Sequence, residues 1–194
     1  LVERSSYESH PLGRMEWIRL YGVLLGKEEL AEKRFAEETA ALDGILNQES
    51  TGKTAAFFYI NTNGAVNVRK PGDYVAKMIG MAGGTYVPSG SQGEENALST
   101  MNMQMEAFYA AAKDADFLIY NSAIEGELAS LDQLLEKSSL LKDFRAVKNG
   151  NVWCTGKNLF QETMGLGAMM QDLHRLFSQE RPDPSQMTYL RHLE

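Results

Sequence analysis

Three asparagines stand just past predicted strands, where hydrogen-bonding side chains can hold a ligand. Asn61, Asn121 and Asn158 each follow an apolar run of strand length. In open α/β sheets, ligands bind outside the carboxyl ends of the strands, so these positions belong to one edge. Amides bind through hydrogen bonds but are poor general acids and bases, and no carboxylate pair accompanies them. The pattern therefore favours a binding site over an active site.

Other residues with chemical potential give weaker patterns. The triplet at 52–54, Gly-Lys-Thr, follows a predicted helix and opens a strand. A phosphate loop follows a strand and opens a helix, so this triplet does not predict nucleotide binding. Cys154 is the single cysteine, which excludes an internal disulfide framework and a cysteine-cluster metal site. The three histidines are not spaced for metal binding.

The composition is that of an ordinary soluble globular protein. The 194 residues include 43% apolar and 23% charged residues, and 19 basic against 26 acidic side chains give a net charge of −7. Such an acidic chain does not replace the counterions on a phosphate backbone, which argues against a protein that coats nucleic acid. No apolar run reaches the ~20 residues of a membrane-spanning helix. The residues after Leu1 show no signal-peptide pattern.

Alternation of strands and helices predicts the fold class. Continuous apolar runs at 55–60 and 117–120 indicate strands buried on both faces. Shorter strands are predicted at 66–68, 85–87 and 152–154, the last of the series. Helices are predicted over 71–82, 104–113, 128–136 and 160–177. This order is typical of an α/β fold, a three-layer αβα Rossmann-like lobe with a mainly parallel sheet.

Two helices are predicted before the first strand. In the first, over 15–25, apolar residues recur at i, i+3, i+4, i+7 and i+8 from Trp17, and Gly26 stands at the C-terminal cap. The second, over 27–48, is more charged and carries one apolar stripe. At 1.5 Å per residue it would be about 30 Å long. We interpret it as a long connecting helix.

Several short stretches, in order along the chain, carry a resemblance to a known family. They lie at 7–18 (YESHPLGRMEWI), 82–86, 106–109, 115–121 and 146–153. On these stretches the chain resembles the extracytoplasmic substrate-binding proteins of ABC importers for iron siderophores, haem and cobalamin. Each stretch is short, but the ordered series spans nearly the whole chain.

The resemblance implies two α/β lobes joined by one long interlobe helix, with the ligand held between the lobes. The implied division is 1–26 for the end of the first lobe, 27–49 for the connecting helix, 50–180 for the second lobe and 181–194 for a tail. The rest of the first lobe, a signal peptide and a lipid-anchoring cysteine would lie upstream of Leu1. The implied location is extracytoplasmic, in the periplasm or on the outer face of the cell membrane.

The resemblance and the strand-end positions together give candidate ligand-binding residues: Tyr7, His10, Arg14, Asn61, Arg69, Trp153 and Asn158. The first three would face the other four across the cleft. Arg14 and Arg69 suit bidentate recognition of chelate carboxylates. Trp153 either stacks on a flat ligand or belongs to the core. Tyr7 or His10 would contact the metal, although His10 is equally suited to loop-to-helix capping.

Glu106 is the candidate for docking to the membrane permease. It matches a glutamate on the outer face of the family's second lobe, which is thought to enter an arginine pocket of the permease. The alternative is a glutamate favoured by the helix macrodipole, an effect worth about 0.3–1 kcal/mol.

The expected function is therefore non-enzymatic: capture of a metal chelate and its delivery to the permease of an ABC importer, with no cofactor. One alternative is a stand-alone Rossmann-like enzyme domain that uses a nucleotide, although the turn after 55–60 offers only Gly64. Another is a surface interaction module, which an exposed apolar patch along the first helix would favour. The resemblance does not fix the chelate, because fold does not determine ligand.

Overall fold

The apolar run at 55–60 forms the central strand of the fold, β1 (Thr54–Ile60). The structure is a computed structural model that describes residues 2–46, 48–89, 100–157, 159 and 162–194. Alternate side chains of β1 enter two separate cores, with Phe57 on one face of the sheet and Phe58 on the other. Both phenylalanines are 1% exposed. This two-sided burial explains why the apolar run is continuous rather than alternating.

Six further strands of the described residues join β1 in one sheet: β2 (Val66–Arg69), β3 (Thr85–Val87), β4 (Thr100–Met103), β5 (Phe117–Tyr120), β6 (Val152–Thr155) and β7 (Leu190–His192). The order is β4-β2-β1-β5-β6-β7, and β3 also pairs with β1. The central strands β3, β1, β5 and β6 run parallel. The outer strands β2, β4 and β7 pair antiparallel with their neighbours.

Helices cover both faces of this sheet: α1 (Pro11–Leu25), α2 (Glu28–Ala40), α3 (Asp43–Leu46), α4 (Tyr74–Met81), α5 (Met105–Ala112), α6 (Ser122–Glu125), α7 (Leu131–Lys137), α8 (Arg145–Lys148) and α9 (Leu166–Ser178). Residues of α1, α3, α4 and α9 share the core of Phe57, and residues of α5, α7 and α8 share the core of Phe58. The predicted three-layer αβα lobe with parallel central strands is confirmed. In the described ranges, no helix combines the length and apolarity needed to cross a membrane.

The single long helix predicted over 27–48 is not observed. α2 has 13 residues and ends at Ala40, and the following turn places Leu42 in the same core as Met15 of α1. Both side chains are 0% exposed. α3 then adds one turn, which brings Ile45 into that core. Complete burial of a leucine side chain stabilises a fold by about 1.5–3 kcal/mol, which favours this break over a straight helix.

α1 and α2 pack against each other as a hairpin. Gly26 ends α1 in the left-handed conformation, with φ of 62°, as the sequence predicted. Gly22 lies where the two helices approach each other, and a Cβ added there would stand 2.5 Å from Cβ of Ala31. Any larger residue at position 22 would push the helices apart.

The apolar stripe predicted on α1 faces away from the sheet. Tyr21, Leu24 and Leu25 are 40%, 56% and 71% exposed, whereas Met15 and Gly22 are buried. The periodicity identified the helix correctly but not the side that meets the core. The reason is that α1 packs through a flexible methionine and a glycine, which contribute little to an apolar pattern.

The predicted polar tail contains β7, a strand that the sequence did not predict. A buried carboxylate on α9 binds the backbone at the start of β7. Asp172 Oδ2 accepts hydrogen bonds from the backbone N–H groups of Thr188, Tyr189 and Leu190, at 2.8, 2.6 and 3.2 Å. Asp172 is 0% exposed, and its other oxygen lies 3.2 Å from Arg175. Burial raises the pKa of Asp172, and the three N–H groups oppose that rise.

The remaining predicted elements are observed with small shifts in their bounds. The strands at 66–68, 85–87 and 117–120 are present as β2, β3 and β5, and β6 extends one residue further than predicted. α9 begins at Leu166, later than the predicted start at 160, which lies outside the described residues. β4 is the second strand that the sequence did not predict.

Burial of Met15 leads to a prediction about the first 46 residues. We expect Met15→Ala to lower the free energy of unfolding by about 2–5 kcal/mol, because it opens a cavity between α1 and the sheet. Leu24→Ala in the same helix is the matched control, with an expected change within about 0.5 kcal/mol because Leu24 is largely exposed. Urea denaturation followed by circular dichroism measures both. Equal effects of the two substitutions would show that α1 is not part of the core.

Candidate functional site

The carboxyl ends of β1, β5 and β6 meet at one edge of the sheet, because these strands run parallel. Asn61 follows β1, and its side-chain oxygen accepts a hydrogen bond from the backbone N–H of Ala65 at 2.8 Å. The backbone N–H of Asn61 also donates to the carbonyl of Ala65, at 3.0 Å. Asn61 therefore shapes the turn between β1 and β2 and, being half-buried, still borders the edge.

Asn121 plays the same structural role after β5. Its side-chain oxygen accepts from the backbone N–H of Ala123 at 3.2 Å and so caps α6. The neighbouring Ser122 donates its backbone N–H to the hydroxyl of Thr155, at the end of β6, at 3.1 Å. These bonds tie the ends of β5 and β6 together. The predicted strand-end amides and hydroxyls thus make hydrogen bonds to the protein backbone that hold this edge of the sheet in place.

Arg14 anchors the segment that precedes α1. Its Nε donates to the carbonyl of Glu8 at 2.8 Å, and its Nη2 donates to the carbonyl of Ser6 at 2.6 Å. The guanidinium carbon lies 3.8 Å from the centre of the Tyr74 ring, at the start of α4. Partial burial lowers the pKa of the Arg14 guanidinium, while the nearby Asp73 carboxylate opposes that shift. Arg14 therefore fastens this segment to α4.

Arg69 lies in the same neighbourhood and interacts electrostatically with Arg14. Its Nη1 stands 3.8 Å from Oδ2 of Asp73, and both side chains are largely buried. Asp73 also caps α4 by accepting from the backbone N–H of Val75 at 2.9 Å. Tyr86 of β3 donates its hydroxyl to the carbonyl of Arg69 at 2.7 Å.

We call Arg14, Arg69, Asp73, Tyr74 and Tyr86 the arginine cluster. Burial raises the pKa of Asp73, although the Arg69 guanidinium opposes the rise. Burial also raises the pKa of Tyr74 to about 12 and raises that of Tyr86, so both phenols stay neutral at physiological pH. The cluster therefore combines two cations, one buried carboxyl and two neutral phenols near the start of α4.

The predicted site residues Tyr7 and His10 lie on the segment before α1. We call residues 5–10 the anchored segment. Tyr7 is 66% exposed and lies in a short 3₁₀ turn, and His10 is exposed at the N-terminal cap of α1 without a side-chain capping bond. Ser9 accepts a hydrogen bond from Nζ of Lys77 at 2.9 Å, which fixes the segment to α4 a second time. The structure thus brings Arg14 and Arg69 together and leaves Tyr7 and His10 facing solvent.

The structure describes two of the other predicted site residues, Trp153 and Glu106. Trp153 is 2% exposed and sits in the core of Phe57, with its ring centre 4.9 Å from that of His192. Its ring therefore packs as a core side chain in this structure. Asn158 lies outside the described residues. Glu106 is exposed in the first turn of α5.

A pocket at the end of β6 was not found by sequence reasoning. Its volume is about 300 Å³, and its lining residues are Glu127, Gly156, Lys157, Glu162, Thr188 and Tyr189. We call it the β6 pocket. Only Lys157, just past a strand end, gave a signal, because the other polar residues come from distant parts of the chain. Among the described residues, no three His, Cys, Asp or Glu side chains converge on a metal position.

Two curated relatives match most of the chain. An uncharacterised lipoprotein of Methanocaldococcus jannaschii is 30% identical over 156 residues, which cover 79% of this chain and 36% of the relative. The Bacillus subtilis lipoprotein YhfQ, provisionally assigned to ABC transporter substrate binding, is 24% identical over 157 residues, which cover 78% of this chain and 49% of the relative. The chain thus spans half or less of each relative's length. No family model matches it.

Solved structures of binding proteins share the fold. IsdE of S. aureus, solved with haem, superposes with a TM-score of 0.67 at 16% identity over 88% of this chain and 66% of IsdE. An ABC-type Fe³⁺-hydroxamate transport protein of Saccharomonospora viridis gives a TM-score of 0.68 at 15% identity over 88% of this chain and 57% of that chain. The resemblance expected from the sequence is confirmed at the level of the fold.

The contacts of Arg14 predict how the preceding segment behaves. We expect Arg14→Ala to speed amide hydrogen exchange at residues 5–9 by about tenfold or more, because two hydrogen bonds from a charged group are lost. Arg14→Lys should give a similar increase, since lysine lacks the planar fork that reaches both carbonyls. Hydrogen exchange with mass spectrometry measures the effect. The control is Arg34→Ala on α2, and unchanged exchange in both Arg14 variants would contradict the anchoring role.

Proposed function

We propose that this chain is part of the substrate-binding component of an ABC importer, and that it captures a metal chelate for delivery to a membrane permease. The observation that carries the proposal is the fold, which matches transport binding proteins over most of the chain. The similarity to YhfQ supports the same class of protein. Because solved neighbours of this fold are transport binding proteins, the proposed role is non-enzymatic.

The proposed ligand-facing surface combines the anchored segment with the carboxyl edge of the sheet. Tyr7 and His10 offer exposed side chains on that segment, and Asn61 borders the edge at the end of β1. Asn158, which lies outside the described residues, is a further proposed ligand contact. Arg14 and Arg69 are engaged by protein groups, so we assign them the role of positioning the surface.

The rest of the binding cleft is proposed to come from a second lobe in a longer protein. The chain spans 36% and 49% of its two curated relatives, which leaves room for such a lobe. In this proposal residues 1–26 are the end of that lobe, packed on the described core through Met15, and residues 27–49 are the connection. Because both curated relatives are lipoproteins by name, we propose an extracytoplasmic location with a lipid anchor upstream of Leu1.

Glu106 is the proposed contact with the permease. It is exposed at the start of α5, and that helix begins on the side of the sheet where the parallel strands end. A carboxylate there can approach a basic surface without rearrangement of the lobe. Such charges mainly increase the rate of association and fix the orientation of the partners.

Binding of a chelate is tested by tryptophan fluorescence. Trp17 is half-buried and lines a cavity with Ser5 and Arg14, so a ligand at the anchored segment should change its emission. For the protein encoded by the complete gene, we expect haem, ferrioxamine B or cobalamin to bind with a Kd far below 100 μM, which corresponds to more than about 5.5 kcal/mol. The Trp17→Phe variant identifies the reporting residue. The proposal fails if none of the three binds below that concentration.

The docking role of Glu106 predicts a separation of uptake from binding. In cells that depend on the importer, we expect Glu106→Lys to reduce chelate uptake by about tenfold, because a reversed charge removes electrostatic steering. Chelate affinity of the purified protein should not change. Glu180→Lys, a charge reversal at another exposed position, is the matched control. Equal uptake by the two variants would remove Glu106 from the docking surface.

A further inference from the structure

The β6 pocket has an acidic lining at the edge where the proposed ligand binds. Its charged side chains are the carboxylates of Glu127 and Glu162 and the ammonium of Lys157. At neutral pH they sum to one net negative charge. All three side chains are exposed, so a ligand group can reach them directly from solvent.

Neutral donors hold both carboxylates in place. The Tyr189 hydroxyl donates to Oε2 of Glu162 at 2.5 Å, and the backbone N–H of Lys157 donates to Oε1 of Glu127 at 3.3 Å. Neither donor carries a charge, so each fixes a carboxylate without neutralising it. Burial and the Glu162 carboxylate raise the pKa of Tyr189 to about 12, which keeps the phenol protonated as a donor at physiological pH.

A further carboxylate strengthens the negative potential around this pocket. Glu38 of α2 acts electrostatically on the Tyr189 hydroxyl and contributes to its raised pKa. The nearby Asp172 carboxyl is buried behind the same tyrosine and is balanced by Arg175. The lining and its surroundings therefore favour a cation over an anion.

The arginines that would suit a carboxylate ligand are engaged elsewhere. Arg14 donates to two backbone carbonyls and stacks on Tyr74, and Arg69 pairs with Asp73. Moving either side chain toward a ligand would break those contacts. An anionic chelate would thus meet an acidic pocket and two arginines that already have partners.

The pocket does not fit a bare metal ion. In the described part of the chain, no three potential metal-ligating side chains converge, and the lining includes the ammonium of Lys157. An organic cation differs from a metal ion because it needs only one or two carboxylates as hydrogen-bond acceptors. A primary ammonium on the periphery of a chelate is a group of this kind.

We propose that the β6 pocket selects chelates that carry a positively charged peripheral group over chelates with neutral or carboxylate peripheries. This inference rests on the proposed function and names the ligand class of that same site. The pocket binds the ammonium through Glu127 and Glu162, while the metal-bearing core of the chelate lies over the carboxyl edge of the sheet. Lys157 attracts an anionic group, but the two carboxylates together repel that group more strongly.

The test uses three ferric chelates that differ in one peripheral group. Ferrioxamine B carries a free ammonium, its N-acetyl derivative is neutral there, and its N-succinyl derivative carries a carboxylate. We expect ferrioxamine B to bind the protein about fivefold more tightly than the acetyl derivative, since an exposed ion pair contributes about 1 kcal/mol at most. The succinyl derivative should bind more weakly still. Fluorescence titration at low and high salt measures the three affinities, and the preference should shrink in salt.

Glutamine variants locate the charge that gives the preference. Glu162→Gln and Glu127→Gln keep the hydrogen-bond acceptor and remove the charge, so each should reduce the preference for ferrioxamine B. Glu29→Gln, at an exposed position in the first turn of α2, should leave it unchanged. A preference that survives both pocket variants would place the cation elsewhere and overturn the inference.

The outcomes separate this inference from the proposed function. Equal binding of the three chelates, or tighter binding of the succinyl derivative, would overturn the charge selection while leaving chelate capture intact. Failure of all three to bind, together with failure of haem and cobalamin, would overturn the proposed function and this inference with it.

Discussion

The two-sided burial of β1 is the constraint from which most of the structure follows. A strand with Phe57 on one face and Phe58 on the other is stable only when both faces are covered by apolar side chains. On one face α5, α7 and α8 provide that cover. On the other, α4 and α9 are joined by Met15 of α1 and by Leu42, which lies between α2 and α3. The N-terminal helices thus belong to the layer that buries the Phe57 face of β1.

The position of the candidate site depends on the same packing. Because α1 is held against the sheet, its first turn places Arg14 over the start of α4, where the guanidinium stacks on Tyr74. Because Arg14 also donates hydrogen bonds to the carbonyls of Ser6 and Glu8, that contact fixes the anchored segment against α4. The parallel direction of β1, β5 and β6 places their carboxyl ends at one edge, which is the other part of the proposed surface. The two parts of the proposed surface thus depend on strand direction and on one anchored arginine.

Sequence reasoning succeeded where a local pattern reports burial directly. The continuous apolar runs at 55–60 and 117–120 identify β1 and β5, because strands covered on both faces are apolar at every position. The apolar stripe of α1 predicted a helix but not its orientation, since the helix meets the sheet through Met15 and Gly22. The connection over 27–48 was predicted as one helix because helical periodicity does not reveal that Leu42 turns inward.

The site was harder to predict because its residues come from distant segments. Arg14 and Arg69 were expected to face each other across the cleft and to bind chelate carboxylates. The structure places them together and engages both with protein groups, and their partners Tyr74 and Asp73 gave no signal in the sequence. The sequence left open whether Trp153 stacks on a ligand or belongs to the core, and the structure buries its ring in the core.

The pairing of β7 with β6 has a consequence for how the sheet is protected. Without residues 188–192 in place, the outer edge of β6 is unpaired and Asp172 lacks the N–H groups that satisfy it. An open strand edge is a template for pairing with another chain. Detachment of β7 alone would therefore expose the protein to aggregation. With β7 in place, the edge of the sheet is a strand of only three residues that carries Arg191, and short charged edge strands resist such pairing.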